Sequence, residues 1–67
     1  MNKLSFKALR AIKNMSQKEV AQKVGVSRMT YSNWERYKVY PDASQLIKLA
    51  DIFECSLDTF YFPIKAS

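Results

Sequence analysis

The sequence predicts one all-α domain, a compact five-helix bundle, on three observations. One Gly and two Pro among 67 residues leave little room for strands, hairpins or flexible linkers. Helix-capping residues recur at helix-length intervals, at Ser16, Ser27, Asp42 and Ser56. Apolar residues fall between these caps at helical spacing, and a 48% hydrophobic content is enough for a small helical core. A chain of this length sits near the lower limit at which a core suffices without disulfides or metal.

The first helix is expected over residues 5–13, with Phe6 and Leu9 inward and Lys3, Lys7 and Lys13 outward. Arg10 lies at the border of its inner face. Asn14 stands at the exit and tolerates left-handed backbone. Met15 is the apolar residue before the next cap, placed to form a hydrophobic staple with Val20 or its neighbours. Ser16 followed three residues later by Glu19 is a capping box, so a second helix begins at about Gln17. Val20, Ala21 and Val24 form its narrow apolar stripe, and Gly25 suits a left-handed exit. Ser27 offers a new N-cap almost at once, giving helix, tight glycine turn, helix.

The third helix spans roughly residues 28–36. At about 100° per residue, Tyr31 and Trp34 share one side with Thr30 beside them, while Arg28, Met29, Ser32, Asn33 and Arg36 spread over the other. Those outer types match base edges: Arg pairs with guanine, Asn with adenine, Ser with several edges, and Met touches a thymine methyl. Taken alone, an ordinary amphipathic helix with a solvated face accounts for the same pattern.

Asp42 caps the fourth helix with Gln45 at the capping-box position, and Leu46, Leu49, Ala50 and Phe53 form its inner stripe. Ser56 is expected to cap a short fifth helix containing Leu57 and Phe60, closed by Pro63. No repeat or low-complexity segment is present.

The net charge is +5, but its distribution is more informative than the sum. Residues 1–38 hold nine Lys or Arg against Glu19 and Glu35, a balance of +7; residues 39–67 carry −2. A basic half facing a polyanion predicts affinity that falls with salt; cytosolic domains are also often mildly basic without binding anything. Cys55 is the only cysteine, which excludes an internal disulfide, fits a reducing compartment and suggests a buried, inert thiol. No stretch reaches the length of a membrane span and no signal-peptide pattern opens the chain, so a cytoplasmic, nucleoid-associated location is expected.

Catalysis is not expected. The chain has no His, which removes Ser–His and Cys–His dyads and imidazole metal sites. A single glycine cannot make a Gly-rich phosphate loop, and the six carboxylates are scattered among caps and surfaces. No cofactor, metal or small-molecule ligand is implied.

Gln17, Ala21, Gly25-Val26-Ser27, Trp34-Glu35, Pro41, Leu46, Leu49-Ala50 and Ser56-Leu57-Asp58 agree in order and spacing with one family. Together they resemble the helix-turn-helix domain shared by lambdoid phage repressors, Cro proteins and the xenobiotic-response-element family. The resemblance covers about residues 6–61, nearly the whole chain. It implies a lambda-repressor-like, Cro/CI-type DNA-binding domain over residues 1–67, with the motif at 16–36 and a C-terminal tail at 62–67.

The resemblance also implies roles for individual residues. The N-terminal part of the third helix would enter the major groove, bringing Ser27, Arg28 and Met29 nearest the bases and Ser32 and Asn33 one turn later. Gln17, Arg36, Lys38 and Tyr40 would contact DNA phosphates, with Tyr37 a further possible donor; surface aromatic packing explains the two tyrosines equally well. Arg10 would pair with Glu35 and tie the first helix to the third, the alternative being a phosphate contact. Relatives commonly have Asn-Gly where this chain has Arg36-Tyr37. A tyrosine in left-handed geometry is strained by about 1–2 kcal/mol, so either the loop differs or the strain is accepted.

The implied function is a sequence-specific transcriptional regulator whose partner is double-stranded DNA. With no ligand-sensing or cleavage domain after residue 62, it is expected to be more like Cro or a minimal repressor. Leu57, Tyr61, Phe62 and Ile64 place more apolar surface at the C-terminus than a short helix can bury. A homodimer on a palindromic operator is therefore expected, against the alternative that these residues fold back as a lid. Two other classes of function compete: an antitoxin-like protein-interaction module on the same fold, and a basic amphipathic peptide acting on membranes. The cap signals and interior aromatics argue against the last.

Overall fold

The computed structural model of the chain describes residues 3–63. Among these residues four α-helices form where local chemistry starts and stops them: α1 (Phe6–Ile12), α2 (Gln17–Val24), α3 (Arg28–Glu35) and α4 (Ala43–Phe53). Each begins on an extended cap residue whose side chain accepts a free backbone N–H. Ser5 takes Ala8, Ser16 takes Glu19, Ser27 takes Thr30 and Asp42 takes Gln45. Both expected capping boxes are closed, with the Glu19 and Gln45 side chains reaching back to the Ser16 and Asp42 backbone N–H groups.

All four helices leave through a left-handed residue, although the chain has one glycine. Asn14, Gly25, Tyr37 and Glu54 carry φ of 55°, 92°, 56° and 54°. In each case the following N–H bonds back to a carbonyl of the last turn: Met15 to Arg10, Val26 to Ala21, Lys38 to Asn33 and Cys55 to Ala50, at 2.9–3.1 Å. These Schellman-type closures satisfy carbonyls that a helix end otherwise leaves bare. The strain at Tyr37 is accepted rather than avoided. Glu54 was not foreseen as an exit residue.

The last segment differs from the expected fifth helix. It is one three-residue 3-10 turn, Leu57–Thr59, and Ser56 makes no side-chain cap; its hydroxyl lies 3.3 Å from that of Thr59. The reason is competition from the N-terminus. Leu4 and Phe60 form a parallel bridge in which the Leu4 N–H donates to the Thr59 carbonyl (2.7 Å) and the Tyr61 N–H to the Leu4 carbonyl (2.9 Å). Phe60 is extended to make that bridge and bury its ring, and Pro63 lacks the N–H another turn needs.

The core joins all of these pieces. Phe6 and Leu9 of α1, Val20, Ala21 and Val24 of α2, Tyr31 and Trp34 of α3, Leu49 and Phe53 of α4, and Phe60 are buried. A fully buried ring such as Phe6 contributes about 1.5–3 kcal/mol by leaving water. Leu46, Ala50 and Met15 pack on the rim of this cluster. Cys55 is half-buried there rather than fully buried, and burial pushes its thiol pKa up. Among the described residues, no helix is long and apolar enough to cross a membrane.

Phe62 folds back onto the core, while Leu57 and Tyr61 remain about half exposed. Ile64, assigned with them to a two-fold contact, lies outside the described residues.

Candidate nucleic-acid interface

The candidate surface is the outer face of α3, and its orientation is set from the inside. Tyr31 and Trp34 point into the core with their rings edge to face, centroids 6.0 Å apart. Burial drives the Tyr31 phenol pKa far upward, and the Glu35 carboxylate adds to the shift. The hydroxyl lies within the field of Arg10 and Glu35, yet among the described residues no partner meets hydrogen-bond geometry.

Glu35 anchors the C-terminal end of α3. Arg10 Nε and Nη2 donate to its Oε2 and Oε1 at 2.5 and 3.2 Å, and Gln17 Nε2 donates to Oε1 at 2.9 Å. The remaining Arg10 nitrogen, Nη1, donates to the Met15 carbonyl at 3.0 Å. The Glu35 side chain is only 4% exposed. Burial raises its pKa, but the hydrogen bonds from Arg10 and Gln17 outweigh burial and hold it below the ordinary carboxylate range. Arg10 is raised in turn, chiefly by its hydrogen bond to Glu35. One carboxylate thus joins α1, the start of α2 and the end of α3.

With the inner face fixed, the outer face presents what the sequence assigned to it. Arg28 is exposed, Met29 is 68% exposed, and Ser32 and Asn33 are half-exposed one turn on. Ser27 is also exposed, but its hydroxyl is occupied: it accepts the Thr30 N–H at 3.1 Å and donates to Thr30 Oγ1 at 3.0 Å. Arg36, Lys38 and Tyr40 continue the exposed surface past the helix end. Among the described residues, Arg28, Arg36 and Lys38 take part in no ion pair, whereas Lys13 bridges Glu54 and Lys3 donates to the Asp58 carbonyl. Exposed cations without a paired anion hold a positive field toward solvent.

Two assignments look different in three dimensions. Tyr37 donates its hydroxyl to the Tyr61 carbonyl at 2.9 Å, and the Tyr40 ring packs on Tyr37 and Phe62 at 6.1 and 6.0 Å, so both tyrosines take part in surface aromatic packing. Gln17, assigned a phosphate contact, holds Glu35 with one amide hydrogen and keeps a second. No local signal announces the Gln17–Glu35 bond, because the partners are 18 residues apart.

None of the curated proteins compared matches the chain. The family model described as helix-turn-helix matches residues 6–60. Among solved structures, the P22 c2 repressor in complex with the synthetic operator 9T in the presence of Tl+ is 32% identical. It aligns over 79% of this chain and 80% of its own, with a TM-score of 0.75. The solution structure of the DNA-binding domain of the same repressor is 31% identical over 87% of this chain and 82% of its own, with a TM-score of 0.76. By its family match, its all-helical fold and these likenesses, the chain belongs to the helix-turn-helix family, in its Cro/CI-type branch.

Proposed function

We propose that the protein is a sequence-specific DNA-binding transcription regulator of Cro or small-repressor type. The observation that carries this reading is the mounting of α3. Two aromatic side chains are sunk in the core and the Arg10–Glu35–Gln17 cluster fixes the helix end, while the opposite face offers Arg28, Met29, Ser32 and Asn33 to solvent. Base edges in a major groove can be read by such a face because its donors arrive in a fixed frame. Its similarity to a repressor solved on a synthetic operator supports the same reading.

In this account Arg28 pairs with guanine, Asn33 with adenine, and Met29 makes an apolar contact, with Ser27 and Ser32 beside them. Arg36, Lys38, Tyr40 and the free amide hydrogen of Gln17 hold phosphates. The exposed Leu57 and Tyr61 side chains suit a two-fold contact between copies, which would set recognition helices about 34 Å apart on a palindromic operator. Selection of bound sites from random DNA tests the function. An enriched palindrome supports the reading; recovery of unenriched sequence counts against sequence-specific binding. Sedimentation at high micromolar concentration, alone and on the selected site, tests the dimer. A monomer in both conditions removes it.

A further inference from the structure

We infer that Tyr37 is a positioning residue for the DNA-backbone contacts of Arg36 and Lys38, locking the exit of the recognition helix to the joined N- and C-terminal segments. The inference rests on the DNA-binding reading above and specifies how one part of that surface is held.

The backbone at Tyr37 is left-handed, φ 56°, a conformation that glycine adopts freely and a side chain does not. At Asn14 and Glu54 the same geometry is met by residues whose side chains lie outside the core, Glu54 carrying an exposed ion pair to Lys13. At Tyr37 the half-buried side chain meets three rings and one carbonyl. Its ring stacks on Phe6 at 5.9 Å and 23°, meets Tyr61 edge-on at 6.2 Å and Tyr40 at 6.1 Å. Its hydroxyl donates to the Tyr61 carbonyl at 2.9 Å.

What Tyr37 grips is itself fixed. Phe6 is fully buried and also packs on Phe60 (5.2 Å) and Phe62 (5.8 Å). Tyr61 is held through its N–H by the Leu4 carbonyl. The residues on either side of Tyr37 are the exposed cations. Their backbones are closed against the last turn of α3, Arg36 N–H to the Ser32 carbonyl at 3.1 Å and Lys38 N–H to the Asn33 carbonyl at 3.0 Å. The anchor therefore limits where both cations can reach. A cation on a fixed stem loses less freedom when it meets a phosphate than one on a loose loop, which is preorganisation of the contact. The side chain supplies this; a glycine would give the turn without the anchor.

The test is a double-mutant cycle on the full chain, read as affinity for a random-sequence duplex well below the melting temperature. Tyr37→Gly relieves the backbone but removes the anchor, and should weaken binding by about tenfold, with Tyr37→Phe recovering most of it through the retained ring. In an Arg36→Ala/Lys38→Ala background, Tyr37→Gly should cost less than about twofold, because the side chains it positions are gone. An equal loss in both backgrounds marks a general structural role and overturns the inference, as does unchanged binding by Tyr37→Gly. If Tyr37→Gly does not fold, Tyr37→Phe decides: a small loss that disappears in the double-alanine background supports the inference, and an equal loss or none overturns it. A wild-type chain that binds no duplex refutes the DNA reading itself and the inference with it, whereas binding by all variants alike refutes the inference alone.

Discussion

Gln17 and Glu35 are joined by a 2.9 Å hydrogen bond on the same carboxylate that Arg10 grips. Glu35 is nearly sealed from solvent, so its charge depends on these two donors. A buried pair adds little over an apolar one, but a buried carboxylate stripped of its cation is costly. Arg10→Ala should therefore destabilise the fold by about 3 kcal/mol, the low end of the usual range because Arg10 keeps some solvent contact. Arg10→Met with Glu35→Leu should recover most of that loss. Urea denaturation of the single and double variants measures both; a loss below about 1 kcal/mol in Arg10→Ala contradicts this account of the cluster.

The same cluster gives a pH dependence whose sign follows from its direction. The folded pKa of Glu35 lies below its ordinary value of 4.5. Its contribution is fully present above that ordinary value and disappears as pH falls through the lower folded pKa. The stability difference between wild type and Glu35→Gln should be constant from pH 7 to about 5 and shrink below about 4.5. Thermal melts across that range check it. A difference that grows on acidification reverses the sign and rules the assignment out.

Caps separate the helices that form from the one that does not. Asp42→Ala should cost about 1 kcal/mol, because the Gln45 N–H loses its acceptor. Ser56→Ala should stay within about 0.5 kcal/mol, because Ser56 makes no side-chain cap. Equal losses at the two positions would mean that a capped fifth helix forms after all.

Arg36 and Lys38 are exposed cations in no ion pair among the described residues, just past the end of α3. Replacing either with alanine should weaken all DNA sequences alike and reduce the slope of log affinity against log salt by roughly one unit per lost phosphate contact. Titrations at several salt concentrations read the slope directly. An unchanged slope in both variants removes the phosphate assignment.

Most of this architecture was legible because helix starts are written locally. Ser16 with Glu19 and Asp42 with Gln45 declare a capping box within four residues, and the stripes that follow declare which face is buried. Exits were legible only where the residue itself signals left-handed backbone, as Gly25 and Asn14 do. Glu54 carries no such signal, and its conformation follows from the closure of α4 onto Cys55 and Ala50. The missing fifth helix shows the limit of local reading. Ser56 and Leu57 propose a turn, but the Leu4 pairing, contributed from the far end of the chain, draws Phe60 into an extended bridge. Likewise the outer face of α3 followed from a 100° period, whereas the internal commitments of Gln17 and Tyr37 depend on partners 18 and 24 residues away.

If the outer face of α3 reads bases, Arg28 is the side chain whose loss should show it. Once an operator has been selected from random DNA, wild type and Arg28→Ala are compared on that operator and on a scrambled duplex of equal length, with circular dichroism confirming the fold. Base reading by Arg28 gives a loss of about 1–3 kcal/mol on the operator, a much smaller loss on scrambled DNA, and relaxed preference at one base pair per half-site. Equal losses on both duplexes would contradict it, making Arg28 a phosphate anchor and leaving base reading to Met29, Ser32 and Asn33.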